Sequence, residues 1–174
     1  EKDEKKYSGQ FVNSALSLSK DNASAAIIGG GDGGVARELL SKGFDLIDWY
    51  ELDPEVVKVC QKHLPKICGE VKANNNVKTY WGDAFESIKK VKDSKYDKIF
   101  VDLNDDQFCI DLAAKNMKGI KRILKPGGVI TAQVGTLSKK PKQVNNWMKV
   151  LSQNFGNAKL DEVVIPSFDC RWNF

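Results

Sequence analysis

The residues that could do chemistry in this sequence are carboxylates, because acids follow four segments that are typical of buried strands. The segments 24–29, 46–50, 77–80 and 96–101 are followed by Asp32, by Glu51, by Asp83 and by the group Asp102, Asp105 and Asp106. A carboxylate accepts hydrogen bonds, removes a proton from an amine or holds a cation. The pattern therefore predicts a negatively charged site whose ligand carries positive charge.

A glycine-rich run, 29–34, separates the first strand from the helix that follows it. Gly29, Gly31 and Gly34 match the spacing of a nucleotide-binding loop, in which absent side chains let a ligand approach backbone amides. Asp32 interrupts the run, although a phosphate at a helix N-terminus requires positive surroundings. The loop therefore favours a nucleoside with a cationic group over a dinucleotide with a pyrophosphate.

Strands and helices alternate along almost the whole chain, which is typical of an α/β fold with a parallel sheet covered on both faces. We predict one Rossmann-like, doubly wound domain over residues 1–174 with a mostly parallel seven-stranded sheet. Residues 65–76 are expected to form a loop. Only Pro166-Ser167 joins the last two strands, about 158–165 and 168–174, so these should pair antiparallel.

Two of the acids suit the recognition of an adenosine. Glu51 lies 17 residues after Gly34, where a carboxylate can accept both ribose hydroxyls. Asp83, followed by Ala84, can accept a hydrogen bond from the adenine amine. Asp83 is also a good helix N-cap, and the sequence permits both roles.

Composition excludes several classes of function. The 27 basic and 23 acidic residues give a net charge of +4 and are scattered, which does not predict a nucleic-acid surface. No apolar run reaches the roughly 20 residues that span a membrane. Four unpatterned cysteines and one histidine, His63, do not predict a metal site. We expect free thiols and a cytoplasmic location.

The sequence resembles the spermidine and spermine synthase family over 7–174. The residues that carry the resemblance are the motifs 27–35 (IIGGGDGGV), 51–57 (ELDPEVV), 82–84 (GDA) and 102–105 (DLND). The resemblance implies an aminopropyltransferase that uses decarboxylated S-adenosylmethionine as co-substrate and releases methylthioadenosine. It implies no metal and no permanently bound cofactor.

The resemblance also assigns roles by position. Asp102 matches the family's proton acceptor, and Tyr7 matches a tyrosine that touches the reacting amine. Asp32 would face the aminopropyl end of the donor and the acceptor amine. Asp105 would anchor the polyamine, and Gln133 would line the acceptor tunnel. The donor would lie against Gly29, Gly31, Asp32, Glu51, Asp83 and Ala84.

Departures from the family pattern leave the acceptor open between putrescine and spermidine. Phe168 replaces a tyrosine that contacts the acceptor, and Cys170 stands where spermine synthases have an acid. Ser8, the 66–70 loop and Trp172 make the chain somewhat nearer to spermine synthases. The family's N-terminal β-domain is not expected in this chain, and the full-length protein is expected to be a homodimer.

Three other functions are compatible with parts of the sequence. A small-molecule methyltransferase must hold a donor carboxylate, which Asp32 would repel. A nicotinamide dehydrogenase would have no use for the acids after the fourth strand. A non-catalytic polyamine- or nucleoside-binding homologue is favoured by Phe168 and Cys170.

Overall fold

The computed structural model describes residues 3–69 and 71–174. Its strands are β1 (Ser24–Gly29), β2 (Leu46–Glu51), β3 (Val77–Trp81), β4 (Tyr96–Asp102), β5 (Leu124–Ala132), β6 (Glu162–Ile165) and β7 (Cys170–Asn173). Its helices are α1 (Glu4–Leu18), α2 (Gly34–Ser41), α3 (Pro54–His63), α4 (Pro65–Cys68), α5 (Ala84–Ile88), α6 (Gln107–Ile123) and α7 (Pro141–Phe155). Two short 3-10 helices span Val71–Ala73 and Pro166–Phe168.

Five strands form a parallel sheet in the order β3-β2-β1-β4-β5, as expected for a doubly wound fold. The order reverses beside β1, which is the point where doubly wound folds bind their ligands, at the carboxyl ends of the strands. Gly29 pairs in register with Asp102. The glycine run and the acids after β4 therefore meet at this edge of the sheet.

Each face of the sheet has its own apolar core, because side chains alternate between faces along a strand. Phe100 of β4 packs on one face with Phe11 of α1 and Trp49 of β2. The next side chain back, Ile99, packs on the other face with Met117 of α6. Helix α1 is thus fixed on the sheet, and its first turns lie near the end of β4. In the described ranges no helix is long and apolar enough to cross a membrane.

The described residues form seven strands, but these do not form the single seven-stranded sheet that the sequence predicted. Strands β6 and β7 pair antiparallel, as predicted, in a separate two-stranded ribbon. One antiparallel bridge, Gly135 to Asn173, connects this ribbon to the chain beyond β5. The chain leaves β5 at Ala132 and turns at Gly135, whose φ is 88°. The ribbon of β6 and β7 therefore does not continue the five-stranded sheet beyond β5.

The prediction of a loop over 65–76 was wrong at 65–68 and 71–73, and Glu70 lies outside the described residues. Pro65 begins the four-residue helix α4, and a 3-10 helix follows at Val71–Ala73. Ile67, Cys68 and Val71 are buried, and the Cys68 Sγ lies 3.0 Å from the position that a Cβ on Gly33 would take. The segment is therefore ordered by three apolar side chains that pack beside the glycine run.

Candidate functional site

Asp102 and Tyr7 form the centre of the site, although 95 residues separate them in sequence. The Tyr7 hydroxyl donates a hydrogen bond to Asp102 Oδ1 at 2.7 Å. Asp102 ends β4, and Tyr7 lies in α1, where its ring packs against Phe11, Trp172 and Phe174. The structure thus brings together the two residues that the sequence predicted as catalytic.

The glycine run passes close to Asp102. The Gly30 N–H donates to the Asp102 carbonyl oxygen at 3.0 Å. A Cβ on Gly29 would lie 2.3 Å from that oxygen, and the φ of Gly29 is 85°, a left-handed value that favours glycine. Glycine is therefore required at 29 by contact with β4 as well as by backbone angle.

Asp32 and Glu51 flank this centre, and each carboxylate accepts one backbone hydrogen bond. Asp32 Oδ1 accepts from the Gly34 N–H at 2.9 Å, and Glu51 Oε1 accepts from the Asp53 N–H at 3.0 Å. A Cβ on Gly31 would lie 3.1 Å from Glu51 Oε2. The same Cβ would lie 2.8 Å from Val56 Cγ1, so glycine at 31 keeps a further side chain away from this oxygen.

The electrostatics of the site favour protonated or cation-bound carboxyl groups. Burial raises the pKa of Asp102 to about 7, the negative charges of Asp32 and Glu51 add to the rise, and the Tyr7 hydrogen bond opposes it. Burial also raises the pKa of Asp32, while the Gly34 N–H opposes that rise. The pKa of Tyr7 lies well above its usual value because of burial and the adjacent Asp102.

Among the described side chains, no lysine or arginine forms an ion pair with Asp32, Glu51 or Asp102. Nor does the described part of the chain group three histidine, cysteine or acidic side chains as a metal site would. Three carboxyl groups thus share a rim in which none has a paired protein cation, although the charge of Arg37 lowers the pKa of Asp32 from a distance. Such a rim attracts a cationic ligand.

Asp83 caps helix α5. Its Oδ1 accepts from the Phe85 N–H at 2.7 Å and, more weakly, from the Glu86 N–H at 3.4 Å. Ala84 is the first residue of this helix, and Asp83 is exposed. The capping role is therefore present, and Oδ2 of Asp83 makes no hydrogen bond to the described residues.

The residues predicted to hold the acceptor have protein partners. Asp105 Oδ2 accepts from the Lys140 Nζ at 2.7 Å, so this carboxylate is not free of protein cations. Gln133 is 5% exposed; its Nε2 donates to the Leu103 carbonyl oxygen at 2.5 Å and its Oε1 accepts from the Trp172 indole N–H at 3.1 Å. Both side chains therefore connect the loop after β4 to neighbouring segments.

Phe168 is 44% exposed, and its ring centroid lies 5.0 Å from that of Trp172. Trp172 in turn contacts Tyr7 edge-on at 6.4 Å. These rings form an apolar wall that leads towards the Tyr7–Asp102 pair.

Sequence reasoning did not find Glu4 and Arg37, which form an ion pair beside Asp32. The available signals were weak: Glu4 and Ser8 are one helical turn apart in α1, and Arg37 is one of three arginines. Asp32, Glu51 and Asp102 line none of three cavities of about 560, 450 and 750 Å³, although Glu4 and Arg37 line the third. We place the site at the carboxylate rim because the perturbed acids are there.

Comparison with known proteins agrees with this geometry. The family model of the spermine/spermidine synthase domain matches residues 4–174. The chain belongs to the spermine/spermidine synthase family. A polyamine aminopropyltransferase of Prochlorococcus marinus (strain MIT 9215) is 36% identical over 174 residues, which is 96% of this chain and 60% of that protein. Another, from P. marinus subsp. pastoris, is 34% identical over 186 residues and is covered to 63%.

Solved structures show the same fold. A spermidine synthase from Thermotoga maritima has a TM-score of 0.86 at 19% identity, over 96% of this chain and 57% of that chain. A spermidine synthase in complex with the transition state analogue AdoDATO has a TM-score of 0.88 at 18% identity, over 96% and 58%. The chain spans about three fifths of the length of these family members.

Proposed function

We propose that this chain carries the catalytic site of an aminopropyltransferase in polyamine biosynthesis. It would transfer the aminopropyl group of decarboxylated S-adenosylmethionine to a polyamine and release methylthioadenosine. Membership of the family supports the reaction class. The observation that carries the proposal is the Asp102 carboxyl group, with a pKa of about 7, hydrogen-bonded to Tyr7 and without a protein cation.

The donor fits the first part of the rim. Glu51 would accept the ribose hydroxyls through Oε2, which lies beside the bare backbone of Gly31. Asp83 would use Oδ2 for the adenine amine while Oδ1 caps α5. Asp32 would lie near the aminopropyl end, where its negative charge attracts the donor's ammonium and sulfonium groups. The same charge disfavours a methyl donor that carries a carboxylate, so Asp32 separates this proposal from a methyltransferase.

The acceptor must lose a proton before it reacts. A primary ammonium has a pKa of about 10 and no free electron pair. Asp102 would take this proton, and Tyr7 would hold the carboxylate in place through its hydrogen bond. The freed nitrogen then attacks the methylene beside sulfur, the carbon–sulfur bond breaks, and sulfur keeps the electron pair as a neutral thioether. No metal takes part in these steps.

We propose a polyamine as acceptor, putrescine or spermidine, lying along the wall formed by Phe168 and Trp172. Aromatic faces attract ammonium groups, which supports this path. Asp105 would bind the ammonium group at the far end of the polyamine, which would replace Lys140 as the partner of this carboxylate. Gln133, tied to Leu103 and Trp172, would fix the shape of this wall. A cytoplasmic location, supported by four cysteines that form no disulfide, and a homodimer in the full-length protein remain predictions.

Asp102→Asn tests the role of the base. The amide cannot accept the proton, so we expect transfer to fall by roughly 10²-fold or more. Calorimetry should show that the variant still binds decarboxylated S-adenosylmethionine, because Asp102 is not assigned to the nucleoside. Asp45→Asn, an exposed residue before β2, is the control and should keep full activity. Equal transfer rates in the Asp102 variant and the parent would refute the assignment.

A further inference from the structure

Helices α1 and α2 are joined by a largely buried ion pair next to the proposed site. Arg37 Nη1 lies 2.7 Å from Glu4 Oε2, and Arg37 Nη2 donates hydrogen bonds of 2.9 Å to Glu4 Oε1 and to Glu38 Oε1. Glu4 Oε1 also accepts from the Ser8 hydroxyl at 2.6 Å. The side chains of Arg37 and Glu4 are only 20% and 11% exposed, so their attraction is screened less than that of a surface pair.

Gly34 permits this contact. A Cβ at this position would lie 2.1 Å from Glu4 Oε1 and 2.5 Å from the Ser8 hydroxyl oxygen. Gly34 is also the residue whose N–H donates to Asp32. The backbone that holds Asp32 is therefore in direct contact with the side chains that anchor α1.

Tyr7 depends on the same anchor. Glu4, Tyr7 and Ser8 are spaced i, i+3 and i+4, so they lie on one side of the first turns of α1. The N-cap, Asp3, makes no side-chain hydrogen bond to this helix and instead accepts from the Ser167 N–H. Helix ends without a side-chain cap fray readily, so the ion pair adds a restraint on the turn that carries Tyr7, beside the packing of the Tyr7 ring.

We propose that Glu4 and Arg37 are positioning residues that fix Tyr7 on Asp102 and set the negative charge of Asp32. The roles of Tyr7 and Asp32 in this inference rest on the proposed function. The pair joins α1, which carries Tyr7, to α2, which follows the loop that carries Asp32. One contact would therefore align both sides of the reaction centre. Neither side chain is assigned to the substrates.

The charges of the pair act on Asp32 in opposite directions. Glu4 raises the pKa of Asp32, and Arg37 lowers it. Tyr7 of α1, Cys60 of α3 and Asp102 at the end of β4 also interact electrostatically with Asp32, and Glu38 of α2 shares the Arg37 guanidinium. Removing one member of the pair alone should therefore shift the titration of Asp32 with a sign that depends on which member is lost.

The experiment is a pH titration of the Asp32 carboxyl carbon by ¹³C NMR in the intact chain, with the signal assigned by Asp32→Asn. Arg37→Met should raise the pKa of Asp32, Glu4→Gln should lower it, and the double variant should return close to the parent. If the pair acted through packing alone, the two single variants would not shift the pKa of Asp32 in opposite directions. Glu4→Gln keeps the size of the side chain, so it carries the test if Arg37→Met fails to fold.

The matched control is Arg171 with Glu162, an exposed ion pair of β7 and β6. Arg171→Met and Glu162→Gln should leave the Asp32 titration unchanged. Shifts of the same sign in both single variants of Glu4 and Arg37, no shift, or equal shifts in the controls would overturn the proposal.

Kinetics supply the second readout. Both single variants and the double variant should lower kcat by roughly tenfold or more with a smaller change in KM, because Tyr7 is displaced from Asp102. Unchanged kcat in all three would contradict the positioning of Tyr7. If the parent chain transfers no aminopropyl group, the proposed function fails, and the NMR titration still decides whether the pair controls Asp32.

Discussion

Asp102 takes up a proton near neutral pH, because its carboxyl group is buried and lies near two other acids. A free aspartate would lose its proton about three pH units lower. Holding this carboxyl group in the fold therefore costs stability whenever the pH is high enough to ionise it. The cost is consistent with a catalytic base that must be poised at the working pH.

Asp102→Asn should therefore stabilise the fold at pH 8. The folded chain binds the Asp102 proton up to about pH 7, whereas the unfolded chain releases it near pH 4, so stability is lost as pH rises between these values. The amide does not ionise, so the variant avoids this loss of stability, which is at most about 4 kcal/mol. Urea unfolding at pH 5 and pH 8 measures it. If the difference in free energy of unfolding between parent and variant were the same at pH 8 and at pH 5, the raised pKa of Asp102 would be contradicted.

Tyr7→Phe should move the pH dependence of transfer to higher pH. The Tyr7 hydrogen bond favours the ionised form of Asp102, so its loss raises the pKa of Asp102 above that of the parent. Transfer needs the ionised carboxylate, and the acid limb of kcat/KM should shift upward with it. Tyr80→Phe, which removes a hydroxyl from a ring stacked on Tyr50, is the control. If the acid limb of kcat/KM did not shift in Tyr7→Phe, a coupling between the Tyr7 hydroxyl and the pKa of Asp102 would be excluded.

At the scale of elements, the contact between the glycine run and the end of β4 holds the site together. Gly29→Ala would place a Cβ 2.3 Å from the Asp102 carbonyl oxygen at a left-handed φ. We expect a loss of stability on the order of 3 kcal/mol and a matching loss of donor binding.

Gly119→Ala is the matched control for this change, because Gly119 lies within α6 and its added Cβ meets only the Ile88 Cδ1 at 3.6 Å. It should stabilise the fold by about 0.5–1 kcal/mol. Thermal unfolding of both variants checks the contrast. Similar effects from the two substitutions would argue against the tight approach at Gly29.

The sequence predicted those elements whose hydrophobic pattern and end signals agree. β1, β2, β3 and β4 lie within two residues of their predicted bounds, and Asp53 caps α3 as its position before Pro54 indicated. The helical turns within 65–76 were not predicted, because the few buried residues of this segment lie between polar ones and give no helical pattern. Contacts between distant segments, such as Lys140 with Asp105 and Arg37 with Glu4, have no local signal and needed the structure.

At the scale of the molecule, a chain of net charge +4 keeps an unbalanced acidic rim at the carboxyl ends of β1, β2 and β4. The described lysines that form ion pairs do so with other acids, as Lys58 does with Glu55, Lys95 with Asp48 and Lys140 with Asp105. Protonation of Asp102 relieves part of the repulsion within the rim, and the proposed cationic substrates would relieve more of it. Family membership and this charge distribution thus support the same substrate class independently.

The most direct measurement of this account is mass spectrometry of the products formed when the chain is given decarboxylated S-adenosylmethionine with putrescine or with spermidine, in separate reactions. We expect methylthioadenosine in equal amount to an amine that has gained one aminopropyl group, with at least one of the two acceptors. S-adenosylmethionine in place of its decarboxylated form should yield neither this product nor a methylated amine. Methyl transfer from S-adenosylmethionine, or no aminopropylated amine with either acceptor while the donor binds, would contradict it.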